Sequence, residues 1–405
     1  MRLAPQNWCG NLTYEIDDSE VKISLCNECA IHSELKTLIE DDCCQGLCAL
    51  CGRLDVQVRN TENLEPMIML IRSLIRFFWD EFDYNPHWGG DSILSLFSAP
   101  DNPVVRPPEV DEHLDTFIEL IEWPPYPPTN EGVAVYAGFD GDGTRFMNTA
   151  ISRTDPAEFS KLQRRLRHEN FFDVEPELEA MIDKFIDDVA LELSENEVWF
   201  RARKGCQATF QRFDADFGSN VVRQPWMGKD IGAPSPLIAS AGRLNRQGVS
   251  VLYLASDAYT AVAEIRPHPG HYVSVGGFRS VAAFKVADFD PPITRFSSND
   301  DRLDLYATIQ AFDRLMSTPV TPDEKTPYLL TQLLSEVLLR KGFDGVRFRS
   351  SVSSGSNICI FRPSTFEFLD THSQVMGVAK VTYDTPAVPS VTVPNLKELH
   401  LIKNG

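Results

Sequence analysis

Between Gly242 and Gly270 the chain reads GRLNRQGVSVLYLASDAYTAVAEIRPHPG, and several of its residues belong together chemically. A polar turn carries Arg243, Asn245 and Arg246, a short strand over 249–254 carries Tyr253, and a helix from about Ala258 carries Glu264. Arginine grips a phosphate through a two-pronged hydrogen bond. Tyrosine offers an aromatic face to a ring. A carboxylate stabilises positive charge developing on a sugar. This set suits cleavage of a nucleotide at its glycosidic bond. Each residue also has a plainer reading: a solvated turn arginine, a core tyrosine, a glutamate paired with Arg266. Glu264 lies in the largely apolar stretch AYTAVAEI, where an unpaired buried carboxylate is costly, so the expectation is a buried group with a purpose or a partner.

A second constellation is made of cysteines. Cys26/Cys29 and Cys48/Cys51 form two CxxC pairs separated by eighteen residues, the spacing of a four-cysteine zinc site with each pair on its own turn. Gly52 suits the tight turn such a knuckle needs. Cys43 and Cys44 lie between the pairs at poorer spacing, and one of them can replace a ligand. Four thiolates leave zinc (Zn2+) no open coordination position, so the metal is expected to support folding rather than catalysis.

The elements that must position these residues differ along the chain. Residues 1–60 read as the zinc-knuckle module, with a helical turn or two at 33–40. Residues 61–195 read as mainly helical, with helices at 62–82, 112–122, 156–168 and 176–193 and one strand at 134–139. From 198 the texture turns to short strands, at 199–203, 249–254, 281–286, 345–349 and 357–362. Helices at 258–265, 302–316 and 327–341 are interspersed. The implied class is α+β with a small, twisted, mostly antiparallel sheet in residues 196–370, followed by a tail over 371–405.

Composition narrows the function. The 405 residues are 43% hydrophobic, as in folded proteins, and no apolar run is long enough to span a bilayer. Met1 to Gly10 has no signal-peptide core, so cytoplasmic residence is expected. The net charge of −20 falls in the first half: residues 1–190 carry 15 Lys+Arg against 36 Asp+Glu, and the remainder 23 against 22. Such a front half disfavours nucleic acid. It is a solvated acidic surface, a shield or a face for a basic partner.

The order Arg201, Arg243, Tyr253, Glu264, Ser350 resembles the RES domain, which takes its name from Arg, Glu and Ser. The blocks that carry the resemblance are WFRAR (199–203), GRLNRQG (242–248), LYLAS (252–256), AVAEIRP (261–267) and GFDGVRFRSSVSSGSNICIF (342–361), within roughly residues 198–365. CNEC, SELKTLIE, CALCGR and RHENFF resemble the HEPN/RES N-terminal region that precedes some RES domains. The resemblance implies an ADP-ribosyltransferase-like sheet and a bacterial toxin that degrades NAD+, transferring ADP-ribose to inorganic phosphate or water. It further implies an antitoxin partner or a triggered defence system. It places Glu264, Arg201, Tyr253 and Ser350 in catalysis. Arg243, Asn245, Arg203 and Ser351 are placed in substrate binding, Arg203 and Ser351 as neighbours competing with Arg201 and Ser350. Two other readings remain: transfer of ADP-ribose to a macromolecule, and a non-catalytic nucleotide-binding zinc adaptor.

Other features carry less. Arg164 and His168 lack the usual polar residue of a HEPN RNase motif, so RNase activity is not expected. His268 and His271 have no nearby carboxylate to complete a metal site. Gly138, Gly141 and Gly143 have no following lysine, and no Gly-x-Ser-x-Gly elbow is present.

Overall fold

The computed structural model describes residues 22–85, 89–91, 93–122, 147–213, 219–319, 328–382 and 385. The expected strand at 134–139 lies outside them, as do residues 383, 384 and 386–405 of the expected tail; the start of that tail, 371–377, is instead the end of the last strand, because 374–377 pair with 272–275. In chain order the elements begin with β1 (Ile23–Ser24), α1 (Ser33–Asp41), β2 (Cys43–Cys48), β3 (Val56–Arg59), α2 (Glu65–Phe78), α3 (Glu81–Tyr84), α4 (Ile93–Ser98), α5 (Asp111–Glu122), α6 (Ala157–Arg165) and α7 (Phe171–Asp183). There follow β4 (Ala190–Leu193), β5 (Val198–Lys204), β6 (Ala208–Phe213), β7 (Ser219–Gln224), β8 (Leu252–Ala255), α8 (Ala258–Glu264), β9 (Tyr272–Ser280) and β10 (Phe284–Asp288). The last are α9 (Asp300–Ser317), α10 (Tyr328–Arg340), β11 (Gly345–Arg349), β12 (Ser356–Ile360) and β13 (Phe366–Gly377). Among the described residues no helix is long and apolar enough to cross a membrane.

The main sheet has 8 strands in the order β13-β9-β5-β8-β12-β11-β10-β4, larger than the small sheet expected. Every neighbouring pair is antiparallel except β10 and β11, whose parallel pairing is bridged by α9 and α10. Its outermost strand β4 was expected as the end of a helix over 176–193. Ala, Leu and Glu do favour helix, but Leu193 to Ala190 pair with Phe284 to Ala287, and that pairing decides their state. The preceding helix starts before Pro176 because Asn170 caps it, its side chain accepting from Phe172 N–H at 3.3 Å.

Strand alternation divides the sheet residues between two cores. On β12, Cys359 joins one core while Ile358 and Ile360 join the other, with Trp199, Leu252, Leu254 and Phe278. The first core is continuous from Leu25 to Cys359 and takes side chains from α1, α2, α6, α7, α9 and α10 alike. Phe159 meets Phe312 edge-on at 4.8 Å between ring centroids.

Ion pairs reinforce this junction, so part of the acidic first half faces arginines of the second. Arg302 pairs with both oxygens of Asp188 at 2.7 and 2.9 Å. Arg314 pairs with Asp155 at 2.8 Å and donates to the carbonyls of Ile151 and Thr154. Lys341 reaches Glu179 and Asp183. In the opposite sense Arg76 pairs with Asp300 and Asp304 at the start of α9. The Glu34 carboxylate accepts from the N–H groups of Ile293 and Thr294, just ahead of that helix.

Candidate active site

A cavity of about 520 Å³ opens beside β5 and β8, within the size range of small-molecule sites. Tyr253 reaches it because Leu252 and Leu254 on either side point to the other core. Arg201 comes from β5, Arg243 from the turn before β8, Glu264 from the end of α8 and Ser351 from the loop after β11. Asn357 lines it from the start of β12, and Met316 and Tyr328 from α9 and α10.

The turn that carries Arg243 is held from several sides. Gly242 N–H donates to Asn245 O at 2.9 Å. A Cβ on Gly242 would lie 2.5 Å from Asn245 Oδ1 and 3.1 Å from the Tyr253 hydroxyl, so only glycine fits. Asn245 is buried, and its amide nitrogen lies 3.0–3.1 Å from the carbonyl oxygens of Ser240, Arg246 and Val249. Gln332 Nε2 of α10 donates to the carbonyls of Gly242 and Asn245. Asn245 thus shapes the turn and does not line the cavity.

The Tyr253 hydroxyl is committed to the same turn. It donates to Asn245 Oδ1 at 3.0 Å and accepts from Leu244 N–H at 2.9 Å, while burial pushes its ionisation well above the ordinary value. What it offers a ligand is its ring. Tyr253→Phe should therefore lower stability by roughly 1–3 kcal/mol, because two buried polar groups lose their partner. A thermal midpoint equal to the wild type would refute this assignment.

Arg201 and Arg243 are anchored through backbone oxygens. Arg201 Nη1 donates to Tyr253 O at 2.9 Å. Arg243 donates to Leu315 O at 3.1 Å and Thr318 O at 2.9 Å, just past the end of α9. Burial pushes both guanidinium groups below their ordinary value. Among the described residues no carboxylate forms an ion pair with either. Arg203 lies on the same strand face as Arg201 but is turned away from the cavity. It donates to Asp230 O and its guanidinium sits 4.3 Å over the Trp226 ring.

Glu264 departs from its expectation. It is exposed at the cavity wall, not buried, because α8 is short and ends at this residue, its apolar face resting on Ala255, Val273 and Val275. It makes no salt bridge to Arg266. Its Oε1 accepts from Ser350 Oγ at 2.7 Å and from Asn357 Nδ2 at 2.6 Å. Ser350 is itself fixed: its N–H donates to Gly355 O, and its Oγ accepts from Val352 N–H at 3.2 Å. Asn357 carries no assignment from the sequence, as the last member of a serine-rich run; a polar amide opening the expected strand at 357–362 was the available signal.

The four cysteines also come together. The sulfurs of Cys26, Cys29, Cys48 and Cys51 all lie within 4.8 Å of one another, and Cys29 and Cys48 are 3.8 Å apart. That spacing suits four thiolates around one zinc, and Cys43 and Cys44 stand outside it. Arg53 Nε donates to Cys51 Sγ at 3.3 Å while pairing with Glu28 at 2.6 Å, a charge that supports a thiolate cluster. Gly52, at φ +66°, lies against the His113 ring so closely that a Cβ would be 2.4 Å from it.

Residues 212–383 match the family model described as the RES domain. No curated protein matches the chain. Among solved structures it is similar to a chain of the "M.tuberculosis MbcT-MbcA toxin-antitoxin complex" at 13% identity and a TM-score of 0.28, covering 50% of this chain and 94% of that one.

Proposed function

We propose that the cavity binds NAD+ and cleaves its nicotinamide–ribose bond, passing ADP-ribose to inorganic phosphate or water. The observation that carries this reading is the pairing of charges at one cavity. Two half-buried arginines, without a carboxylate partner among the described residues, suit a ligand anion, and beside them a carboxylate is held by Ser350 and Asn357. A dinucleotide supplies both complements: a pyrophosphate for the arginines and a sugar that becomes cationic for Glu264. The RES-domain match supports the same substrate.

In this reading the C1′–N bond breaks with its electrons passing to the pyridinium nitrogen, so nicotinamide departs neutral and needs no acid. The oxocarbenium-like sugar is stabilised by Glu264. Ser350 and Asn357 occupy Oε1 and leave Oε2 for the ribose. A phosphate or water oxygen then bonds to C1′, water losing a proton. The Tyr253 ring flanks the nicotinamide ribose. Mass spectrometry of NAD+ incubated with the protein, with and without phosphate, tests the reaction. Nicotinamide release with a phosphorylated ADP-ribose product is expected, and intact NAD+ in both samples would overturn it. An enzyme that empties a cell of NAD+ needs restraint, which favours an antitoxin partner.

Cys26, Cys29, Cys48 and Cys51 would hold a zinc ion that ties β1, β2 and the turn before β3 together, with no part in the chemistry. Metal analysis should find about one zinc per chain, and Cys48→Ser should lower both zinc content and thermal midpoint. Metal-free protein with unchanged melting would exclude this role.

A further inference from the structure

A third arginine lines the cavity. Arg266 follows Glu264 by two residues, is exposed, and among the described residues its guanidinium has no hydrogen-bond, ion-pair or ring partner. Its backbone is unusual. Arg266 has φ +45°, in the left-handed region, at the position just past the end of α8 where glycine is the common occupant. Among the described residues the other non-glycine residues of positive φ, Asp55 and Asn196, have short polar side chains that tolerate the region. Arginine has no such relief.

The strain is fixed from both sides. Arg266 N–H donates to Ala263 O at 3.0 Å, closing the helix end, and the next residue, Pro267, is buried. A residue before proline is ordinarily driven to extended backbone. Strain of this kind persists where the surroundings over-determine it, and such positions cluster at functional sites. Here it holds an arginine with an unengaged guanidinium in the cavity wall, two residues from the carboxylate.

We infer that Arg266 is a phosphate-binding residue of this cavity, its free fork closing on an anion that the anchored Arg201 and Arg243 receive from the other side. The inference deepens the proposed NAD+ reading by assigning the anion contact. Arg201 and Arg243 already donate to backbone carbonyls, so their positions are set in advance. Arg266 retains all its N–H donors for two-pronged binding. The phosphate oxygens belong either to the pyrophosphate of the dinucleotide or to free orthophosphate.

The test is equilibrium binding of inorganic pyrophosphate and, separately, of orthophosphate to the full chain, for the wild type, Arg266→Gly and Arg266→Lys, with thermal melting alongside. Glycine suits φ +45°, so Arg266→Gly should melt at or above the wild type while its affinity for one of the anions falls about tenfold. Arg266→Lys should recover part of that affinity. Loss confined to pyrophosphate assigns Arg266 to the dinucleotide backbone, and loss confined to orthophosphate assigns it to the acceptor. Unchanged affinity for both anions, a wild type that binds neither, or a lower midpoint in Arg266→Gly would overturn the inference. No turnover is required: protein that binds pyrophosphate through Arg266 yet leaves NAD+ intact would refute the catalytic reading and leave this one standing.

Discussion

Glu264→Gln should reduce kcat for nicotinamide release by roughly 10²–10³-fold, the scale of about 3–4 kcal/mol lost when a preorganised electrostatic stabiliser is removed. The substitution isolates charge from shape. Glutamine keeps an oxygen that can accept from Ser350 Oγ and Asn357 Nδ2, the donors now 2.7 and 2.6 Å from Oε1. The side chain can therefore stay in place while its negative charge disappears. Because that charge is needed only as the sugar becomes cationic, KM for NAD+ should move far less than kcat. Ser350→Ala removes one of two donors and should cost less than the glutamine variant. Initial rates across a range of NAD+ concentrations, read as nicotinamide released, measure both constants. A glutamine variant within about threefold of the wild-type kcat would remove Glu264 from the chemistry.

The sequence made the grouping of the cavity's polar residues more legible than the contacts that orient them. Arg201, Arg243, Tyr253 and Glu264 each sit on a short element with strong local signals, and all four line one cavity. Asn245 was visible as a polar turn residue, but its orientation depends on the Tyr253 hydroxyl and on carbonyls brought in by the turn itself. Arg203 alternates correctly with Arg201, yet Trp226 and Asp230, more than twenty residues away, capture it. Long-range contacts of this kind leave no mark in local periodicity.

The same distinction holds for the fold. Gly345 to Arg349 is a strand as expected, and α9 and α10 run within two residues of their expected bounds. Strand β9 went unread because Gly276 and Gly277 suggest a break. Their role is steric: a Cβ at Gly276 would lie 2.9 Å from Phe368, and one at Gly277 2.6 Å from His372 Cβ, so the pair admits β13 across the strand. Strand β4 went unread because its pairing partner, β10, lies some ninety residues further along the chain.

The dependence on distant partners extends to the acidic first half, one sequence reading of which is a shield over the rest. Deleting residues 1–189 should yield a chain that aggregates or melts without cooperativity and releases no nicotinamide. The deletion strips Phe159, Leu178, Ile182 and Phe185 from a core they share with Phe289, Ile309, Phe312, Leu333 and Val337. Re-exposing five such side chains at roughly 1.5–3 kcal/mol each is comparable to the whole stability of a typical domain, about 5–15 kcal/mol. Arg302, Arg314 and Lys341 would lose their carboxylates as well. The loss reaches the site through α9. Glu34, Arg76 and Asp188 hold its beginning, while the carbonyls of Leu315 and Thr318 at its far end hold Arg243. A fragment that kept its sheet but let this helix shift would therefore misplace Arg243 in the cavity. Expression yield, melting and nicotinamide release from residues 190–405 decide the matter. A fragment that melts cooperatively and turns over NAD+ faster than the full chain would show the first half to be a restraint; an unfolded one shows that it completes the core on which the cavity is built.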